Sequence, residues 1–250
     1  MYSNGLLLKE ISECIESFEL LLNYATSSSI QIDLPEEDLK EIQSQFFKLK
    51  CCDHYLLIQN LRRHSSTGKL NTIIHGELWD RNLMLNKENK VKILDWKNAK
   101  LASATLDLAF LMLSSTTFEV REDGTTDLLN SYLEVFNLTL EKFNVSADEK
   151  LTLPELLEDY QISLQVAVLQ ALCMFVQEMH YMTQNIAKAV DQNNSDEVDD
   201  LSERLKIYEL RALTLFKDLD LSQIEDDLGC AGSEMDPTSL SPSSPAFDEF

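Results

Sequence analysis

The sequence predicts an α+β fold that is mostly helical and contains one small β-hairpin. Apolar residues recur with helical spacing before residue 63 and again after residue 105. Between these two regions lie three short apolar runs that are bounded by polar residues, as strands are. The chain has 250 residues, of which 44% are hydrophobic, and this is enough to bury a sizeable core.

The first two predicted elements are helices. Over residues 5–25 the apolar side chains form one stripe of an amphipathic helix. Pro35 and the three acidic residues after it are typical of a helix start, because proline fits the first turn and acidic side chains complement its free amides. We expect this second helix to run to about Arg63, before the polar stretch HSSTGKLN.

The predicted strands come next and are followed by more helices. TIIH has the β-branched composition of a buried strand, and the strands LMLN and VKIL are joined by the polar connection KENK as a hairpin. Helical spacing then predicts four more helices, at residues 105–117, 125–143, 153–187 and 196–217.

The composition changes after Lys217. Residues 218–250 contain nine acidic residues, no Lys or Arg, and three of the five prolines, which predicts a disordered acidic tail. Two Ser-Pro pairs, at Ser241 and Ser244, are candidate phosphorylation sites. The alternative is a solvated end that only aids solubility.

Charge and hydropathy exclude several classes of partner. The 43 acidic and 21 basic residues give a formal net charge of −22, which would repel the phosphate backbone of a nucleic acid. No apolar run approaches the length of a membrane span, and Lys9 and Glu10 interrupt the amino terminus before a signal-peptide core can form. We therefore expect a soluble cytoplasmic protein with neither a nucleic-acid nor a membrane partner.

The five cysteines are best explained as reduced thiols in the core, because they are scattered and odd in number. Cys51, Cys52 and His54 are conceivable metal ligands. However, adjacent helical cysteines point about 100° apart and no second ligand pair follows, which favours a structural role.

The segment IIHGELWDRNLMLNKENKVKILDW, residues 73–96, has the spacing of a phosphoryl-transfer loop. Such chemistry needs a carboxylate that orients the accepting hydroxyl and oxygen ligands that hold Mg²⁺. Glu77 follows His75 by two residues, and Asn82 lies five residues after Glu77. The hairpin would bring Asn82 and Asp95 together at its open end, where their oxygens can bind one divalent cation. Each residue alone has a simpler explanation as a turn or cap residue, so the order and spacing of the set carry the prediction.

The longer string HGELWDRNLMLNKENKVKILDWKNAKLASATLDLAFLMLSS resembles the catalytic segment of the CHK kinase-like proteins, also called ecdysteroid kinase-like. These are related to choline kinases and aminoglycoside phosphotransferases. The family pattern is H-G-D-L-W-x-x-N-x-M, a hairpin, I-D-[FW]-Q, and then D-L at a helix start. The resemblance covers about 40 residues, with matches at His75, Gly76, Leu78, Trp79, Asn82, Met84, Asp95, Trp96, Asp107 and Leu108.

The resemblance implies the C-terminal lobe of the protein-kinase-like fold over residues 1–217, with a catalytic segment at 71–108. It also implies ATP and Mg²⁺ as cofactors and a hydroxyl of a small molecule as the phosphate acceptor. Between the helices of residues 105–187, side chains that could line an acceptor pocket are Met112, Phe175, Met179 and Tyr181, with core packing as the alternative.

Roles carried over by resemblance place Glu77 at the base position and His75 where it would brace the loop. Asn82 and Asp95 take the positions that bind Mg²⁺ and the nucleotide. Asp107 would fasten the loop by hydrogen bonds, or serve only as an acid at a helix N-terminus. The two tryptophans, Trp79 and Trp96, would line the site or simply pack.

The sequence departs from the family pattern in two ways. Glu77 stands where the family has Asp, and its extra methylene moves the carboxylate by about 1 Å, which can cost on the order of 10²-fold in rate. Asp80 is a substitute base, or else faces solvent or pairs with Arg81.

The 74 residues before His75 carry neither a G-x-G-x-x-G loop nor a strand lysine, so we expect this chain to lack the phosphate-covering lobe. The alternative function is a catalytically inactive pseudokinase-like lobe that binds a protein through its helical face or acidic tail.

Overall fold

The computed structural model describes residues 4–26, 34–52, 54, 71–145 and 150–219. Within these ranges the chain is mostly helical with two small sheets, which confirms the predicted fold class. The helices are α1 (Asn4–Thr26), α2 (Glu36–Cys51), α3 (Ala104–Ser115), α4 (Phe118–Lys142), α5 (Leu153–Asp191) and α6 (Ser195–Thr214). The strands are β1 (Asn71–Ile74), β2 (Leu83–Leu85), β3 (Val91–Ile93) and β4 (Lys100–Ser103), and single 3-10 turns lie at Asp80–Asn82, Trp96–Asn98 and Leu215–Lys217.

Helix α5 is the centre of the molecule and packs against α1, α3, α4 and α6. It begins at a capping box in which the Thr152 backbone N–H donates to Glu155 Oε2 at 3.1 Å, with Pro154 in the first turn. By length and composition alone α5 is apolar enough to cross a membrane. In this structure its apolar side chains, including Leu172 and Phe175, pack into the core.

Three phenylalanines join the first two helices to the end of the described chain. Phe18 of α1 lies 4.3 Å from Phe216 and 5.2 Å from Phe46 of α2, measured between ring centroids. All three side chains are buried. The predicted amphipathic helix and the predicted helix start at Pro35 are both confirmed, and both helices contribute to this core.

Two antiparallel pairs of strands lie beside the helices. β2 pairs with β3 in the predicted hairpin, and β1 pairs with β4, a strand that the sequence did not predict. The prediction of a buried strand at TIIH is correct only for Ile74. Ile73 is 71% exposed, because the sheet has only two strands within the described residues and no second layer covers the face that carries Ile73.

Two helix boundaries differ from the prediction by more than four residues. Helix α2 ends at Cys51, since Cys52 has an extended backbone, and most of its predicted extension to Arg63 (residues 53 and 55–63) lies outside the described residues. Helix α4 begins at Phe118 rather than at residue 125. It continues through Gly124 because that position is open, and an exposed helical glycine costs only about 1 kcal/mol relative to alanine.

Asp218 belongs to the folded body, although its composition placed it in the acidic tail. Its Oδ2 accepts hydrogen bonds from Arg121 Nη2 at 2.6 Å and Nε at 3.0 Å. Both side chains are largely buried. The rest of the predicted tail, residues 220–250, lies outside the described residues.

The four described cysteines are reduced, but only Cys14 and Cys52 are buried as predicted, whereas Cys51 is exposed. The Cys52 thiol donates to the Leu49 carbonyl, and His54 Nε2 lies 2.8 Å from the same oxygen. No set of three His, Cys, Asp or Glu side chains in the described ranges is arranged to hold a metal. The structural role of Cys51, Cys52 and His54 stays a prediction.

Candidate active site

Asp107 holds the backbone of the predicted catalytic loop. This residue lies in the first turn of α3, and its two carboxylate oxygens accept the backbone N–H groups of His75 (2.6 Å) and Gly76 (2.9 Å). Hydrogen bonds to an ionised carboxylate are stronger than neutral ones, so this contact fixes the loop firmly. Asp107 is thus both a helix N-terminal acid and a scaffold residue, and the two alternatives left open by the sequence are both correct.

The His75 ring links the loop to the hairpin. It is buried, and its Nε2–H donates to the Leu94 carbonyl at 2.6 Å, while Nδ1 accepts the Glu77 backbone N–H at 3.3 Å. A carbonyl can only accept and a backbone N–H can only donate, so these contacts fit a neutral ring with its proton on Nε2. The Trp96 ring packs edge-on against His75, with centroids 5.0 Å apart.

Gly76 permits the sharp turn that presents Glu77. Its φ of +87° lies in the left-handed region, and a Cβ at this position would lie 2.5 Å from the Asn98 carbonyl oxygen. The Gly76 carbonyl accepts a hydrogen bond from Gln170 Nε2 of α5 at 2.9 Å. The loop is therefore fastened from α3 on one side and from α5 on the other.

Asn82 closes the loop on itself. Its Nδ2 donates to the Glu77 carbonyl at 2.9 Å, so the amide is oriented and its Oδ1 is left for another ligand. The Glu77 side chain is half-buried and has no hydrogen-bond or ion-pair partner within the described part of the chain. A carboxylate without a partner, carried on a fixed backbone, is available to accept a proton or a hydrogen bond from a substrate.

Asp95 lies beside Asn82 at the open end of the hairpin. The register pairs Leu83 with Ile93, and the Leu94 N–H donates to the Asn82 carbonyl at 2.9 Å, so Asp95 follows directly after the residue opposite Asn82. Asp95 has left-handed backbone angles, φ 60° and ψ 57°. Its exposed carboxylate pairs with Lys97 at 2.9 Å. Non-glycine residues in this conformation are concentrated at functional sites, and aspartate tolerates it better than most.

The donor set at the hairpin fits Mg²⁺ better than a transition metal. Asn82 Oδ1 and the Asp95 carboxylate are hard oxygen ligands, and magnesium is commonly held by one or two such side chains together with phosphate and water oxygens. No group of three or more His, Cys, Asp or Glu side chains among the described residues could hold a metal ion. Asn82 and Asp95 would therefore supply only part of the coordination of the ion. The catalytic and metal-binding roles of Glu77, His75, Asn82 and Asp95 stay predictions.

Arg81 anchors the other end of the loop and does not pair with Asp80. Its guanidinium contacts Glu178 at 2.7 Å and the Tyr208 hydroxyl at 3.0 Å, and it lies 4.9 Å from the centroid of the Trp79 ring. Burial opposes the charged form, but Tyr208 and Glu178 outweigh it and raise the pKa of Arg81 above its ordinary value. Trp79 is thereby fixed as a packing residue, while Trp96 is half exposed.

Sequence reasoning missed the residues of α5 and α6 that hold the loop, which are Gln170, Glu178 and Tyr208. The only local signal for Gln170 is an amide within the apolar run VAVLQALCMF. Since a polar residue in such a run needs a partner, the run indicates a hydrogen bond but not its acceptor. That acceptor, the Gly76 carbonyl, lies 94 positions away along the chain.

The predicted acceptor side chains divide between core and surface. Met112 and Phe175 are buried, so core packing is their role, and Tyr181 is exposed. Met179 lines an open cleft of about 340 Å³ between α1 and α5, together with Glu13, Cys14, Ser17, Val176, Gln177, His180 and Thr183. The cleft is about 10 Å along α5 from the support of the catalytic loop, because Gln177 lies seven residues after Gln170 on the same face of the helix.

Comparison with known proteins gives one family. The sequence model of the ecdysteroid kinase-like family matches residues 4–145, which span α1 to α4 and include the whole catalytic loop and hairpin. The searches of curated proteins and of solved structures gave no match.

Proposed function

Because the chain belongs to the ecdysteroid kinase-like family, we propose that it carries the catalytic loop and magnesium ligands of an ATP-dependent phosphotransferase. The acceptor would be a hydroxyl group of a small molecule. The observation that carries this proposal is the hydrogen-bonded frame of Asp107, His75 and Gln170. This frame fixes the Glu77 backbone next to Asn82 and leaves the Glu77 carboxylate without a partner among the described residues.

In this proposal Glu77 orients the accepting hydroxyl and accepts its proton. The frame fixes the Glu77 backbone from both sides, because its N–H donates to His75 Nδ1 and its carbonyl accepts from Asn82. A fixed backbone limits the positions that the longer glutamate side chain can reach. This partly offsets the displacement of the carboxylate by the extra methylene. We expect general-base assistance of this kind to contribute about 10²–10⁴-fold to the rate.

Asn82 and Asp95 would hold Mg²⁺ in the complex with ATP, through Oδ1 and the carboxylate respectively. When bound, the ion would neutralise charge on the transferred phosphoryl group. The present partner of Asp95, Lys97, is an exposed lysine and is easily displaced, because such surface pairs contribute about 0–1 kcal/mol.

We further propose that the protein acts in the cytoplasm on a small molecule and not on a nucleic acid or membrane. The net charge of −22 supports this, since it disfavours association with polyanions. A catalytically inactive interaction module is the second candidate. The observation that favours it is the glutamate at the position where the family pattern has aspartate.

The experiment is release of inorganic phosphate from Mg·ATP, with water as the acceptor. It compares the wild type with Glu77→Asp, Glu77→Gln and the matched control Glu134→Gln, whose side chain is exposed on α4. Release by the wild type, loss of about tenfold or more in Glu77→Gln and an unchanged rate in the control support the enzyme. Equal rates in wild type and Glu77→Gln would exclude Glu77 as the base. A complete absence of release in the wild type and in Glu77→Asp supports the interaction module.

A further inference from the structure

An apolar and basic surface covers the catalytic hairpin. It consists of the exposed side chains of residues 83–101, which we call the hairpin surface. The β2–β3 register places Leu83 and Leu85 on the same face as Ile93 and Val91, and none of these four is buried. Trp96 and Leu101, after the hairpin, are also exposed apolar side chains, at 51% and 73%. Exposed apolar patches of this kind mark interaction sites.

The charge of this surface is opposite to that of the molecule. Five of the 21 basic residues lie here, namely Lys87, Lys90, Lys92, Lys97 and Lys100, and only Glu88 and Asp95 oppose them. Lys90 pairs with Glu88 and Lys97 with Asp95. Within the described ranges Lys87, Lys92 and Lys100 have no ion-pair partner. A net positive, apolar patch on a chain of charge −22 attracts an acidic and apolar ligand.

The chain itself contains a segment of matching chemistry. Residues 220–250 carry eight acidic residues and no Lys, Arg or His. Runs of acids in them are flanked by apolar residues, as in LSQIEDDL at 221–228 and AFDEF at the carboxyl terminus. Such a segment can bury apolar side chains while its carboxylates meet the lysines. The other long segment outside the description, residues 55–70, is basic and contains no acid, so the hairpin surface would repel it.

The tail also has the required reach. The Arg121–Asp218 ion pair fixes the point at which it leaves the body. The following 31 residues can span about 100 Å when extended, which exceeds the size of the domain. Attachment to the same chain gives the tail a millimolar effective concentration, so weak contacts are enough to populate the bound state.

We propose that the acidic carboxyl-terminal tail, residues 220–250, docks on the hairpin surface of its own chain. The apolar side chains of the tail cover the face formed by Leu83, Leu85, Val91 and Ile93. Its carboxylates pair with Lys87 and Lys100 and, around the edge of the two-stranded hairpin, with Lys92, which lies opposite Met84 on the other face. The docking itself does not depend on catalytic activity.

The test is zero-length carbodiimide cross-linking of the full-length chain, followed by peptide mass spectrometry. An equal mixture of isotopically light and heavy protein distinguishes links within a chain from links between chains. The proposal expects same-isotope links from the hairpin lysines to acids of residues 220–250, about tenfold more abundant than those from Lys142, an exposed lysine on α4. Links at the level of Lys142 would overturn it, and mixed-isotope links would instead identify a second copy of the chain as the occupant.

Charge reversal provides the second arm of the test. The double variant Lys92→Glu, Lys100→Glu should abolish the cross-links. It should also expose Trp96 to acrylamide, so that quenching of Trp96 fluorescence rises about twofold, as expected for removal of a weak intramolecular contact. Adding Glu225→Lys and Asp226→Lys to that variant should restore both readouts. Trp96 quenching that stays unchanged in the first variant, or that is not reversed in the second, would contradict docking by charge complementarity.

Discussion

At the scale of single residues, Gly76 and Asp107 fix the backbone that leads into Glu77. Gly76 adopts a left-handed backbone that brings it close to the Asn98 carbonyl, and Asp107 accepts two consecutive N–H groups at this turn. Neither residue would touch a substrate. They act by restricting the backbone of Glu77, the residue that would touch the substrate. A misplacement of about 1 Å at such a residue can cost on the order of 10²-fold in rate.

Gly76→Ala tests this geometry. The new Cβ would lie 2.5 Å from the Asn98 oxygen, and the positive φ adds strain, so we expect a loss of about 2–4 kcal/mol in the free energy of unfolding. Urea denaturation measures it. Gly124→Ala is the matched control, because nothing lies within 4 Å of its Cβ and helix propensity should make it stabilising by about 0.5–1 kcal/mol. Equal effects of the two substitutions would show that the Gly76 turn is not as described.

At the scale of secondary-structure elements, α5 connects the parts of the site. Gln170 holds the Gly76 carbonyl, and Glu178 holds Arg81 at the other end of the loop. Nearer its start, Asp159 accepts hydrogen bonds from Ser103, which caps α3, and from Thr105, at 2.6 Å. Helix α5 therefore positions the catalytic loop directly and also positions α3, which carries Asp107.

A second connection between elements is the pair of Arg121 in α4 and Asp218 after the last turn. Burial raises the pKa of Asp218, and the adjacent guanidinium of Arg121 opposes this. Asp218→Ala should cost about 3–5 kcal/mol in the free energy of unfolding, because it leaves Arg121 buried without its partner. The double variant Arg121→Met, Asp218→Ala should cost clearly less than the sum of the two single substitutions. A strictly additive cycle, measured by urea denaturation, would show that the two charges do not interact.

The sequence predicted the elements with strong local patterns and missed those formed by pairing. The helical stripes and the KENK hairpin were found because periodicity and turn chemistry are local. Strand β4, with the sequence KLAS, carries no strand pattern and exists because β1 pairs with it. Helix α4 begins seven residues before its predicted start, and in this added part the Arg121 guanidinium lies 5.7 Å from the centroid of the Phe118 ring.

At the scale of the whole molecule, the catalytic loop, the hairpin and the helical body form one connected unit. The spacing of His75, Glu77, Asn82 and Asp95 was readable from the sequence because the loop and hairpin are continuous. Their supports in α5 and α6 were not readable, because the bond that Gln170 donates to Gly76 and the bond that Arg81 donates to Tyr208 each join positions more than 90 residues apart. The motif thus indicated the chemistry, and the fold shows what holds it in place.

Binding of Mg·ATP, measured by thermal shift, tests the central claim most directly. The variants are Asp95→Asn, which tolerates the left-handed backbone but loses the charge, and the matched control Asp127→Asn on the exposed face of α4. At ten times Kd, we expect a magnesium-dependent rise in Tm on the order of 3 °C for the wild type and the control, and none for Asp95→Asn. No rise in the wild type at millimolar nucleotide, or an equal rise in Asp95→Asn, would contradict the account.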